Sequence, residues 1–186
     1  SADAVFLATG HSARDVYRML ASHTVAMSPK PFQLGVRVEH PQSVIDQMQY
    51  GESVGHPDLP PADYSLVSKA SGDDVFSFCM CPGGEILPST EQEGYLCVNG
   101  ASRYQRKSPW ANSGFVVTLQ PDRFGSSRDP LAGIALQEQI ERDAFEAAGG
   151  DFSAPALRLI DFIEGRVSKD LPRSSYPRKM KPTSFE

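Results

Sequence analysis

The chain has 186 residues, a net charge of −5 at pH 7 and three cysteines. Its length is that of one domain, which can bury a core without disulfide staples. The acidic balance gives no general attraction to nucleic acid or to an anionic membrane, and no apolar run approaches membrane-spanning length. An odd number of cysteines without framework spacing is typical of a reducing compartment, so we expect a cytoplasmic protein.

The first segment predicts a strand, a turn and a helix. Residues 4–8 are continuously apolar, as in a buried parallel strand. After a turn at 9–12, apolar residues recur at helical spacing, which predicts a helix over 12–22 with Ser12 as its cap. These elements form half of a nucleotide-binding βαβ unit. The chain contains no GxGxxG motif, so it encodes no dinucleotide phosphate loop.

The clearest half-buried strand covers residues 32–39, where apolar and polar side chains alternate. Its polar face carries Arg37 and Glu39. Such a pair is usually solvated and contributes well under ~1 kcal/mol, but if this face lines a cleft, Arg37 becomes an anion or cofactor contact. A short helix follows over 41–49. The histidines have no metal-ligand spacing with one another or with the cysteines, so we predict no metal site.

The stretch Val75–Gly84 is the one around which we expect the site to form. We predict that its strand, 75–81, pairs as a hairpin with a strand over 64–70. Alternation puts Cys79 and Cys81 on one face, and it puts on the other three large apolar side chains that suit a packed core, those of Phe76, Phe78 and Met80. Gly83-Gly84 then allows a close backbone approach. Two interpretations remain, because reduced thiols can be small core residues or can serve a redox site or a flat ligand.

The second half predicts strands at 95–99 and 114–119 and helices at 130–148 and 155–164. Asp129 is placed to cap the first of these helices, and Ser153 with Pro155 is placed to begin the second. A turn at Asn99-Gly100 precedes a basic cluster over 103–107, which is either solvated or an anion site.

Several blocks, in this order, resemble those of the uncharacterised bacterial FAD-dependent dehydrogenases, the NAD(FAD)-utilising flavoproteins: VFLATGHSARD, KPFQLGVRVEHPQ, DYSLV, VFSFCMCPGGEI, VNGASRY, ANSGFVVTL and DPLAGIALQEQIE. The resemblance covers residues 4 to about 176, and GHSARD and FCMCPGG are its most specific blocks. In that family the first part of a Rossmann FAD domain, with its GxGxxG, lies N-terminal to this region. The closing part lies C-terminal to it.

The resemblance implies that the chain is the inserted, substrate-side middle domain of such a protein. Residues 1–27 would be a remnant of the FAD-binding Rossmann domain, 28–168 the middle domain, and 169–186 a linker or flexible end. The expected fold class is α+β, with a mainly antiparallel sheet of about five or six strands and flanking helices. The N-terminal strand, turn and helix would be the Rossmann remnant.

The resemblance also implies which residues lie at the site. The cofactor-binding candidates are small residues in two turns, Thr9, Gly10, His11 and Ser12 near the FAD phosphates and Gly83 and Gly84 near the flavin. The candidates for the substrate-side cleft are polar or thiol residues on the central strands, Arg37, Cys79, Cys81, Asn99, Arg103 and Asn112. No catalytic acid or base is assigned.

We therefore expect the middle domain of an FAD-dependent oxidoreductase that is not catalytic as an isolated fragment. FAD would be bound by the full-length parent and not tightly by this chain, since the phosphate loop is missing. The expected partners are the remaining FAD-domain segments of the parent and an unidentified small-molecule substrate. One alternative is a self-contained module that binds a small anion or a protein without redox activity. A redox thiol protein is the third possibility.

Overall fold

The computed structural model describes residues 3–10, 12–69, 72–90, 92–125 and 128–184. Over these residues the helices are α1 (Arg14–Ser22), α2 (Gln42–Tyr50), α3 (Ala132–Ala147) and α4 (Leu159–Ile163). The strands are β1 (Phe32–Pro41), β2 (Val67–Ser68), β3 (Val75–Cys81), β4 (Gly84–Pro88), β5 (Val98–Ser102), β6 (Trp110–Leu119), β7 (Ala154–Ala156) and β8 (Met180–Pro182). In this described part, no helix is both long and apolar enough to cross a membrane.

Three sheets organise these strands. The largest has the order β1-β6-β3-β2, and its β2–β3 and β3–β6 pairs are antiparallel. An antiparallel hairpin of β4 and β5 forms the second sheet, and a parallel pair of β7 and β8 forms the third. The predicted α+β class with mainly antiparallel pairing is confirmed, as is the predicted hairpin that ends in Cys81.

Contacts divide the chain into two compact units, Ser1–Phe32 with Leu119–Gln139, and Gln33–Thr118 with Ile140–Glu186. The second unit contains the four-stranded sheet almost completely. Its strand β1 lies so close to β6 that a Cβ on Gly35 would stand 1.9 Å from the carbonyl oxygen of Phe115. Only glycine allows this approach. Of the side chains predicted to face inward from β1, Phe32 and Val38 are half-buried, whereas Val36 is exposed.

One core of the second unit lies between the large sheet and α2. Its buried members are Ile45, Ala62 and Ala111, with Tyr64 and Met80 packed against them. The side chain of Gln42, at the start of α2, is also buried and donates from Nε2 to the carbonyl oxygen of Ala62 at 2.9 Å. Gln42 thereby fixes α2 to the loop that precedes β2.

The other core of this unit surrounds the β4–β5 hairpin. Ile86, Leu96, Ala154 and Tyr176 are its buried members. The Tyr176 hydroxyl donates to the carbonyl oxygen of Phe152 at 2.9 Å. Burial raises the pKa of Tyr176. The segment after residue 169, which we expected to be a linker or flexible end, therefore includes a packed ring and the strand β8.

The first unit contains α1, and Nη2 of Arg18 lies 2.5 Å from Oε1 of Glu138. Helix α1 begins two residues later than predicted, with Ala13 at the N-cap position, so Ser12 is not its cap. His11 lies outside the described residues. Residues 4–8, predicted as a buried strand, form no strand in the part that the structure describes, and Val5 and Phe6 are 84% and 94% exposed.

Some predicted elements differ in length or type. The strand expected over 64–70 is reduced to Val67–Ser68, and the one expected over 95–99 lies at Val98–Ser102. The helix expected over 155–164 is wrong in its first half, because Ala154–Ala156 pairs with β8 and only Leu159–Ile163 is helical. Asp129 does accept a hydrogen bond from the amide of Leu131 at 2.9 Å, just before α3.

Candidate functional site

A β-bulge at the end of β3 decides which side chains face the candidate site. Phe78 lies opposite Gly114 and Cys81 lies opposite Asn112, so three steps along β3 match two along β6. Cys79 is the irregular residue, with a φ of +49°. Since paired residues of antiparallel strands share a face, Cys81 lies on the face of Phe78. The predicted alternation, with Cys81 on the opposite face from Phe78, is wrong because of this extra residue.

Arg37 joins four strands on this face. Its Nη1 donates to Oδ1 of Asn112 at 2.6 Å and to the carbonyl oxygen of Cys79 at 3.1 Å, and its Nη2 donates to Oδ1 of Asn99 at 3.2 Å. These acceptors belong to β6, β3 and β5. Five of the six predicted cleft residues therefore come together, and we call them the Arg37 cluster: Arg37, Cys79, Cys81, Asn99 and Asn112.

Gly100 allows β5 to lie directly against this cluster. A Cβ at this position would stand 2.0 Å from Oδ1 of Asn112 and 2.2 Å from Nη1 of Arg37. Any other residue would displace one of these side chains. The glycine at position 100 was visible in the sequence, but we interpreted Asn99-Gly100 as a turn. In the structure, Gly100 lies within β5.

The side-chain amide of Asn112 is only half satisfied. Asn112 is completely buried, and its Nδ2 is the one buried side-chain nitrogen or oxygen atom without a hydrogen-bond partner among the described residues. Leaving a buried donor unpaired costs about 1–3 kcal/mol. An unsatisfied group of this kind calls for an explanation such as a bound ligand, ion or water.

The two thiols of β3 differ in environment. Both are reduced; Cys81 is buried, whereas Cys79 is exposed. The Cys81 thiol donates to the carbonyl oxygen of Cys79 at 3.3 Å. Burial raises the pKa of Cys81, and the neighbouring thiol of Cys79 raises it further, while the positive charge of Arg37 acts in the opposite direction. At neutral pH, Cys81 is therefore a neutral hydrogen-bond donor.

The glycines of the β3–β4 turn pack against the chain itself. The amide of Gly83 donates to Oε1 of Gln42 at 2.7 Å, and a Cβ on Gly83 would stand 1.9 Å from the carbonyl oxygen of Arg106. A Cβ on Gly84 would stand 2.8 Å from the Cβ of Cys81. Both glycines are buried. We expected their close backbone approach to serve the flavin, but Gly83 packs against the loop between β5 and β6, and Gly84 packs against β3 and β5.

The remaining predicted residues are Arg103 and those of the first unit. Arg103 is exposed and lies 3.7 Å from the carboxylate of Glu85, and it takes no part in the hydrogen bonds of the Arg37 cluster. In the first unit, Thr9 and Gly10 are exposed, Gly10 has a φ of +85°, and Ser12 is half-buried. No group of three or more His, Cys, Asp or Glu side chains in the described ranges could hold a metal ion.

A histidine–tyrosine pair, which the sequence did not suggest, lies on the α2 side of the sheet. The Tyr64 hydroxyl and Nε2 of His40 are 2.9 Å apart, and their rings are tilted in contact. Burial lowers the pKa of His40, with Glu39 acting in the opposite direction. Burial raises the pKa of Tyr64, against a hydrogen bond with Ser113 and the charge of Arg37. Both side chains are therefore neutral at neutral pH.

Phe78 is a second residue that the sequence did not suggest. We expected it in a packed core, but its side chain is 53% exposed. It is adjacent to Cys79 and shares the face of Cys81 and Asn112. The candidate site therefore combines a donor-rich cluster with one exposed aromatic ring.

Comparison with known proteins supports the FAD-dependent family that the motifs indicated. Residues 31–186 match a family described as FAD-dependent protein, C-terminal domain-like. An uncharacterized protein of Clostridium beijerinckii is 44% identical over 171 residues, which make up 91% of this chain and 32% of the relative. The chain thus spans about a third of the length of the curated relative that it matches. Because the family match covers most of its residues, the chain belongs to the FAD-dependent protein, C-terminal domain-like family.

Proposed function

We propose that this chain is the substrate-side domain of an FAD-dependent dehydrogenase, inserted between segments of the FAD-binding domain, and that the Arg37 cluster contacts the flavin or its substrate. When bound, FAD supplies the hydride-transfer chemistry. The residues of this chain bind the flavin or its substrate, orient it and polarise it. We do not expect the chain to be catalytic by itself.

The observation that carries the proposal is the pairing of Arg37 with a half-satisfied Asn112. The guanidinium brings a permanent positive charge, and Nδ2 of Asn112 is a buried donor without an acceptor among the described residues. Both groups favour a ligand rich in acceptor oxygens. A carboxylate, a carbonyl or the pyrimidine edge of a flavin has this chemistry, and hydrogen bonds from a charged donor are the stronger ones.

The surroundings of the cluster support a flat ligand. Phe78 is 53% exposed on the same face and offers an aromatic surface. Cys81 is held as a neutral thiol, since burial raises its pKa. An aromatic surface beside convergent polar groups is the usual composition of a small-molecule site.

The residues of the second unit fit one end of FAD and not its pyrophosphate. A phosphate cradle needs glycine amides that face the ligand, but Gly83 and Gly84 are buried against this chain's own residues. We therefore expect the phosphates to be held by parts of the full-length protein. The turn Thr9–Ser12 remains a candidate to assist there.

The N-terminal segment supports membership in a larger protein over a self-contained module. Val5 and Phe6 are 84% and 94% exposed, although their sequence is that of a buried strand. In the complete protein, we propose, residues 4–8 form a strand of the FAD-domain sheet. A segment so apolar is costly to leave in water.

The test uses the full-length protein with its flavin bound and sulfite as the probe, an anion that adds reversibly to flavins. In the variant Arg37→Met, we expect sulfite to bind at least about tenfold more weakly, which is a tenfold rise in the dissociation constant. Arg103→Met is the matched control, because Arg103 is exposed and paired with Glu85. Equal sulfite affinity in both variants, with full flavin content, would overturn the proposal.

A further inference from the structure

Helix α4 turns its apolar side chains outward. Phe162 and Ile163 are 58% and 70% exposed, and three further large apolar side chains beside them are also exposed, those of Leu159, Ile160 and Val167. We call these five residues the α4 face. The one buried side chain of the helix is the charged Asp161. This arrangement inverts the ordinary amphipathic helix, whose apolar side faces the core.

Hydrogen bonds to Asp161 fix this inverted orientation. Ser168 donates from Oγ to Oδ2 of Asp161 at 2.6 Å, and Nη2 of Arg166 lies 2.6 Å from Oδ1. The amide of Arg158 donates to Oγ of Ser168 at 2.9 Å, which closes the loop on both sides of the helix. A buried carboxylate is tolerated only with such partners. The α4 face is therefore held outward by specific bonds.

The charges around the α4 face are neutralised locally. Arg166 is paired with Asp161 and Glu164, and Arg158 lies near Asp161 and Asp170. No excess of positive charge is left there to attract an anionic lipid surface or nucleic acid. The chemistry of the α4 face thus suits an apolar protein surface, and contiguous exposed apolar patches commonly mark protein contacts.

We infer that the α4 face is the interface with the part of the full-length protein that lies outside these 186 residues. The length of the relative supports this occupant, because the chain accounts for 32% of it and about two thirds remain to cover exposed surface. The inference rests on the proposed function only in that the chain is one domain of a longer protein. It does not depend on the role of Arg37.

The test is hydroxyl-radical footprinting of the full-length, flavin-loaded protein, read residue by residue by mass spectrometry. Tyr104, which is fully exposed, is the internal reference. Each labelling rate is divided by the intrinsic rate of that residue type. We expect the corrected rate of Phe162 to be much lower than that of Tyr104. If Phe162 in the full-length protein reacts at the rate expected for a side chain that is 58% exposed, the inference is wrong. Protection that disappears on dilution would overturn it too, in favour of a second copy of the chain.

A pair of variants gives a second readout in the same protein. Ile163→Ser should lower the thermal unfolding midpoint of the full-length protein, because the inferred interface would cover the side chain of Ile163. Met48→Ser is the matched control, since Met48 is exposed on α2, and it should leave the midpoint unchanged. Equal midpoints in the two variants would contradict the inference. Sulfite affinity should be unchanged in both, which separates this test from that of Arg37.

Discussion

Nη1 of Arg37 lies 2.6 Å from Oδ1 of the completely buried Asn112. This bond joins two neighbouring strands of the large sheet, β1 and β6, at the position where β5 covers them. The two polar atoms of this carboxamide therefore differ: its oxygen accepts a hydrogen bond from a cation, and its Nδ2 is unpaired among the described residues. We therefore expect this contact to stabilise the site and, under the proposed function, to favour a ligand with acceptor oxygens.

Removing the guanidinium should destabilise the fold. In Arg37→Met, Oδ1 of Asn112 loses its donor, and the whole carboxamide is left buried without a partner among the described residues. We expect the free energy of unfolding to fall by about 1.5–3 kcal/mol, the range for a hydrogen bond to a charged group. Urea unfolding measures this change. Arg103→Met is the control, and its exposed pair should be worth less than ~1 kcal/mol; equal losses in the two variants would contradict the prediction.

Asn112→Asp should separate stability from binding. A carboxylate of the same shape accepts from Arg37 in a stronger, charge-assisted hydrogen bond, which partly offsets the cost of the second carboxylate oxygen that is buried where Nδ2 stood. We therefore expect the free energy of unfolding at neutral pH to fall by less than it does in Arg37→Met. The added negative charge should repel an anionic ligand. Sulfite titration of the flavin-loaded protein beside urea unfolding gives both values, and unchanged sulfite affinity would count against a ligand at this position.

Two glycine substitutions should fail in different ways. In Gly35→Ala the new Cβ would stand 1.9 Å from a backbone oxygen, that of Phe115, which cannot move without opening the β1–β6 pair. In Gly100→Ala it meets side-chain atoms of Asn112 and Arg37, which can shift. We expect Gly35→Ala to lose the fold. Gly100→Ala should keep its circular dichroism spectrum but bind sulfite weakly, and the reverse pattern would refute this interpretation.

The sequence predicted β1 and the β2–β3 hairpin because local alternation and turn residues determine them. The bulge at Cys79 could not be predicted in this way, since Cys is not a residue that favours a φ of +49°. The extra residue puts Cys81 on the face of Phe78, whereas Met80 packs against the core, as predicted. The resemblance named Asn99 and Asn112, but their contact with Arg37 depends on this register.

Non-local pairing explains the other misreadings. Residues 153–156 have helix-starting features, yet Ala154–Ala156 pairs with β8, which lies far along the chain. The segment after residue 169 was expected to be a linker or flexible end because it lacks an apolar period, but one aromatic ring, that of Tyr176, is buried in the core around β4. Residues 4–8 were expected to be buried because of their apolar character. Only a partner surface could bury them, since a parallel strand is covered by its neighbours.

Stability should fall at mildly acidic pH because of His40. Burial lowers its pKa below the ordinary value of 6.5, with Glu39 acting in the opposite direction. A lowered pKa in the folded state gives stability that is present above 6.5 and is lost as the pH falls through the folded value. His40→Gln keeps an acceptor for the Tyr64 hydroxyl and cannot titrate. Urea unfolding at several pH values should give a flatter curve for this variant, and parallel curves would exclude His40 as the cause.

The three cysteines should differ in their reaction with iodoacetamide. Cys79 and Cys97 are exposed and Cys81 is buried, so we expect Cys81 to be the slowest to react at neutral pH. Burial raises its pKa above the ordinary value of 9.0, and the thiol of Cys79 adds to this effect. Because the thiolate is the reactive form, the reaction of Cys81 should accelerate only at a higher pH than is usual for a thiol. Mass spectrometry of the labelled peptides gives the three rates.

Substitutions of the two neighbours of Cys81 should shift the pH dependence of its reaction with iodoacetamide in opposite directions. Cys79→Ser removes the neighbouring thiol, which should shift the labelling profile of Cys81 to lower pH. Arg37→Met removes the positive charge, which should shift it to higher pH. A raised pKa also means that the stability contributed by the neutral thiol is present below 9.0 and is lost as the pH rises through the folded value. Identical profiles in both variants would mean that burial alone controls the pKa of Cys81, and Cys81 would then be a core residue without a role in the Arg37 cluster.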